Sequence, residues 1–140
     1  MTARYSTALV NKMLDTGSFK ATLASCFIDI YSGAQPADAN AAPTGTKLVT
    51  ISVASGGTGM TWGTAVAGVL PKNAGEVWSG NAIASGTAGW FRIRVAADDL
   101  GATGSTYQRC DGSVATSGGE VTVGSLTVTS GAPFVVDAFN

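Results

Sequence analysis

From residue 26 to the end, short runs of β-branched, aromatic and aliphatic residues are repeatedly cut off by glycine, proline, asparagine or aspartate. Turn signals at spacings of about 8–12 residues are the pattern of a β-sandwich or jelly roll built from many short strands. The runs fall at 26–31, 48–53, 65–70, 76–84, 90–95, 106–110, 121–128 and 134–139. The expectation is therefore an all-β, jelly-roll-like β-sandwich of about eight short strands.

The run at 90–95 is the most informative of these. Trp90, Arg92 and Arg94 alternate with Phe91, Ile93 and Val95, so an extended chain has one apolar face and one cationic, aromatic face. The second face is expected to point outward. A connection through Asp98-Asp99-Leu100-Gly101 follows, and Asp111-Gly112 carries the dipeptide signal of a tight hairpin.

Ahead of the β region, Ser6 or Thr7 can cap a short helix whose stripe is Leu9, Val10, Met13 and Leu14. Gly17 stands where a left-handed C-cap would end it, and a further turn over 18–25 places Phe19 and Leu23 on one side. The expected organisation is a helical segment at 1–25 and a β domain at 26–140, together one domain, since 140 residues are enough for one hydrophobic core.

Composition narrows the function. Charged residues make up only 12% of the chain, about half the usual share, and the formal net charge is −1 with no histidine. No basic stripe exists, so direct contact with duplex nucleic acid is not expected. No apolar run approaches the roughly 20 residues that cross a bilayer, and the first five residues lack the apolar core of a secretory signal. The expected setting is soluble and cytosolic at synthesis. Cys26 and Cys110 are then expected as free thiols in or near the core, and without histidine they cannot complete an ordinary zinc site.

No motif carries chemistry. Ser55-Gly56-Gly57-Thr58-Gly59 lacks the Gly-Lys-Ser/Thr ending of a phosphate loop and reads as a turn. No histidine is present to activate a serine, and Asp98 and Asp99 are adjacent, which suits a glycosidase pair poorly. No enzyme activity, cofactor or metal is expected. Trp62, Trp78 and Trp90 leave open a glycan-binding module that stacks tryptophan on sugar rings, against the plainer reading that they fill the core.

Three stretches carry a resemblance. Ile30-Tyr31-Ser32-Gly33-Ala34-Gln35-Pro36-Ala37-Asp38-Ala39, Ser85-Gly86-Thr87-Ala88-Gly89-Trp90-Phe91-Arg92 and Asp111-Gly112-Ser113-Val114-Ala115-Thr116-Ser117-Gly118-Gly119 resemble segments of small virion proteins of tailed bacteriophages. In size and order of features the chain is most similar to the capsid cement, or decoration, proteins of short-tailed double-stranded DNA phages. The resemblance implies a jelly-roll-like protein that dimerises on the outer face of the shell and clamps adjacent major capsid subunits. It implies no catalytic residues. The interface candidates are Trp90, Arg92 and Arg94, residue types enriched at hot spots, with Leu9 and Met13 of the helix. The alternative is a tail or fibre module that binds host glycan.

Overall fold

The computed structural model describes residues 3–98, 100 and 106–140. In chain order the elements are β1 (Arg4–Tyr5), α1 (Thr7–Asp15), α2 (Phe19–Thr22), β2 (Cys26–Ser32), β3 (Lys47–Val53), β4 (Trp78–Asn81), β5 (Gly86–Val95), β6 (Arg109–Ala115), β7 (Val121–Val123), β8 (Thr127–Val128) and β9 (Pro133–Phe139). The chain is all-β, with two short helices near its start.

The strands pair in the order β6-β7-β9-β4-β3-β2-β5, and β5 pairs back onto β6, so the sheet closes into a seven-strand, barrel-like ring. β1 pairs with β6 beside β7, and β8 pairs with the start of β5. Every pairing in the ring is antiparallel except β6 with β7.

The interior follows the period-2 alternation. Ile28 and Ile30 of β2, Val49 and Ile51 of β3, Trp78 of β4, Phe91 and Ile93 of β5, Val121 and Val123 of β7 and Val136 of β9 are buried in one cluster. Gly112 is inward too, directly across from Phe91. A Cβ there would lie 2.7 Å from the Phe91 ring, so the glycine is required by the aromatic opposite it. Asp111-Gly112 is therefore mid-strand and makes no hairpin. β6 runs straight through it because β5 pairs with both residues and β1 pairs with Asp111 from the other side.

Several boundaries also depart from the sequence reading. The run at 65–70 forms a bridged turn between Val66 and Val69, and 121–128 divides into β7 and β8. The strand expected at 106–110 begins at Arg109, and of the connection at 98–101, Asp99 and Gly101 lie outside the described residues. Ser6 caps α1 as expected, accepting from the Leu9 amide at 3.2 Å. The helix ends at Thr16, with φ −133°, without a left-handed glycine. Its stripe is narrower than expected, for Leu9 is buried while Leu14 is 78% exposed. Because Ser6 Oγ also accepts from the Arg109 amide at 2.9 Å and donates to the Tyr107 carbonyl at 2.8 Å, the helix start is riveted to β6.

Candidate functional site

The face of β5 that carries Trp90, Arg92 and Arg94 lies under a covering loop. Trp90 and Arg92 are fully buried, as are Asp29, Arg109 and Asp111. The register explains how charge is tolerated there. Asp29 of β2 lies across from Arg92 of β5, Arg92 from Asp111 of β6, and Asp111 from Arg4 of β1. Opposite charges thus alternate across four adjacent strands, the arrangement that favours cross-strand pairs.

The pairs are specific in geometry. Arg92 donates to both carboxylate oxygens of Asp111 at 2.7 Å each. Arg109 donates to both oxygens of Asp98 at 2.5 and 2.6 Å. Arg94 donates to Asp29 at 2.6 Å, and Thr50 donates to the other Asp29 oxygen at 2.6 Å. Such forked bonds satisfy charges that water cannot reach. Burial pushes the Asp111 carboxyl above its ordinary value, against the opposing pull of Arg92, Arg109 and Arg4.

The same arginines hold the loop over the face. Arg92 donates to the Ala41 carbonyl at 2.8 Å, and Arg4 donates to the Pro36 carbonyl. Asn40 exchanges hydrogen bonds with Thr7 at the start of α1. Tyr31 stacks on Trp90 with centroids 4.6 Å apart, and Arg92 lies over the indole. The expected outward interface of Trp90, Arg92 and Arg94 is corrected accordingly: the first two are core residues of a second, polar layer. Arg94 keeps 14% of its side chain exposed. Leu9 is also buried, and Met13 is half-buried.

Met13 lines the other notable feature, a cavity of about 320 Å³ at one end of the barrel. Tyr5 and Phe19 border it from the N-terminal segment, Phe91, Cys110 and Phe139 from the barrel, and Val69 from the bridged turn. Tyr5 meets Phe19 edge-to-face, as Phe91 meets Phe139. Glu120 is the one charged side chain among the described residues that line it. Burial works against ionisation of Glu120, but hydrogen bonds from the Ser113 hydroxyl and amide outweigh it and hold the carboxyl below its ordinary value.

The remaining candidates resolve simply. Cys26 and Cys110 are free and buried; burial pushes the Cys26 thiol up to about 12 and raises that of Cys110 as well. Asp29, Asp98 and Asp111 each hold an arginine, and Asp99 lies outside the described residues. Trp62, Trp78 and Trp90 are all buried, so none offers a face for sugar stacking. No cluster of metal-ligating side chains occurs among the described residues. The sequence reading missed the cavity because its lining comes from segments far apart along the chain. It missed the arginine partners of Asp98 and Asp111 by placing those residues in a connection and a tight hairpin, although Asp29 inside an apolar strand was a visible signal of buried charge.

No known protein family, curated protein or solved structure matches the chain.

Proposed function

We propose that this protein is a structural component of a virion, a cement protein that sits on the outside of an icosahedral phage capsid and clamps adjacent major capsid subunits. The observation that carries the reading is where the three resembling stretches lie. They are distant in sequence, yet Tyr31, Trp90 and Ser113 stand side by side on neighbouring strands, as do Ile30, Phe91 and Gly112. Three separate likenesses thus converge on one block of β2, β5 and β6. The block is the braced part of the scaffold, so the likeness concerns how the chain holds its shape.

That rigidity suits the proposed task. Internal DNA pushes a shell outward, and a clamp resists only if it deforms less than the contacts it reinforces. Ligation to the assembled lattice and not to free subunits stabilises the lattice by mass action. A homodimer would make the second engagement intramolecular and multiply modest affinities. The finer fold assignment, a jelly-roll derivative, belongs to the same proposal, as does synthesis in the host cytoplasm followed by residence on the virion exterior. With Trp90, Arg92 and Leu9 enclosed, Met13 and Arg94 are the original interface candidates that keep exposed atoms.

The glycan-binding alternative has lost the tryptophan platform on which it stood. Cosedimentation decides between them: purified protein should bind shells that lack it at a fixed ratio per capsid subunit and raise the temperature of DNA release. Absence of shell binding, together with density for the chain in the tail, would overturn the proposal.

A further inference from the structure

We propose that the cavity at the barrel mouth is a binding site for a small aromatic amine, a one- or two-ring apolar body that carries a cationic nitrogen. The volume comes first. An apolar cavity of about 150 Å³ accepts benzene, and the space here is about 320 Å³, within the range of ligand pockets. A two-ring ligand fits with room for a short side arm.

The walls specify the rest. Tyr5, Phe19, Phe91 and Phe139 present aromatic rings to the space, and such rings attract both flat apolar bodies and cations. Glu120 is the only formal charge among the described lining residues. One of its oxygens takes both Ser113 donors. Those Ser113 bonds keep the carboxyl ionised at neutral pH. Burial, with Cys110 and Glu120 nearby, raises the Tyr5 phenol, so that ring stays neutral beside the acid. A carboxylate at the edge of an aromatic bowl favours a cation over an anion. The site does not depend on the virion role, and nothing in that role uses it.

The test uses the full chain and three probes of one shape: tryptamine, indole and indole-3-acetate. Calorimetry and amide chemical shifts should give tryptamine a dissociation constant of about 10⁻⁴ M, within reach of a ligand this small, with shifts centred on Tyr5, Cys110 and Glu120. Indole should bind at least about fivefold more weakly, and indole-3-acetate not at all at millimolar concentration. Glu120→Gln should weaken tryptamine about fivefold or more and leave indole unchanged. If that variant fails to fold, Val69→Trp at the exposed rim should block both ligands. Equal binding of all three probes, shifts mapping elsewhere, or no saturable binding of tryptamine would each overturn the proposal.

Discussion

Replacing Arg92 by alanine is expected to cost far more than the loss of an exposed arginine would. Both members of the Arg92–Asp111 pair have fully buried side chains. Two unit charges about 4 Å apart at an effective dielectric of about 20 attract by about 4 kcal/mol. Breaking such a pair by removing one partner typically costs about 3–5 kcal/mol, because the other charge is stranded. A chain of 140 residues has a total stability of about 7–14 kcal/mol, so the variant should still fold. In urea, with a slope of about 2 kcal/mol per molar, its midpoint should drop by about 1.5–2.5 M. The pH dependence adds a second check. Burial already raises the folded-state value of Asp111, and loss of Arg92 raises it further. An acid with a raised folded value contributes stability below its unfolded value and loses it as pH rises, so the deficit should be greatest at neutral pH and narrow toward pH 4. Arg92→Met combined with Asp111→Leu should recover much of the loss, since apolar replacement of a whole buried pair is often tolerated. A midpoint shift below about 0.5 M, or a double variant as poor as the two singles combined, would refute the account of a buried, mutually dependent pair.

Further perturbations probe other parts of the scaffold. Gly112→Ala should lose about 1–3 kcal/mol by overpacking against Phe91, read as a lower thermal midpoint; a neutral effect would mean that the ring moves aside freely. Cys26 and Cys110 should react with a disulfide reagent slowly in the native state and quickly in denaturant, because burial raises both thiols. At Glu76, burial opposes ionisation but is outweighed by bonds from Thr61 and Trp78 and by Lys72, so its value is lowered. A lowered acid contributes stability above its unfolded value and loses it as pH falls through the folded one. Glu76→Gln should therefore flatten the decline in urea midpoint between about pH 5 and pH 3, a range in which Asp111 acts in the opposite sense.

Much of the architecture was legible in the residues, and the failures have a common cause. Alternation located β2, β3, β5 and β9 because period-2 burial on the barrel side is a local property of the chain. It also separated the two faces of β5 correctly. What it could not give was the cover, since a strand's second face is exposed or buried according to where a distant loop lies. Residues 33–46 return over that face, fixed by arginine bonds to the Pro36 and Ala41 carbonyls, and no local pattern encodes that return. Asp111-Gly112 misled for a related reason. The dipeptide favours a turn in isolation, but tertiary pairing on both sides and the Phe91 ring above Gly112 claim it for a strand. The helix start was readable because Ser6 acts on its immediate neighbours, whereas its bonds to Arg109 and Tyr107 arise only once β6 is in place.

Joining β5 back to β6 matters beyond the single molecule. An open sheet ends in rows of idle amides and carbonyls that recruit strands from other chains, a hazard that grows when copies are crowded on a repeating surface. Among the described residues the ring leaves no end strand open, and the two short strands attached outside it, two residues each, add little template. Under the proposed virion role, closely packed neighbours would then meet through side chains, which keeps high local density compatible with a lattice and not with fibre growth.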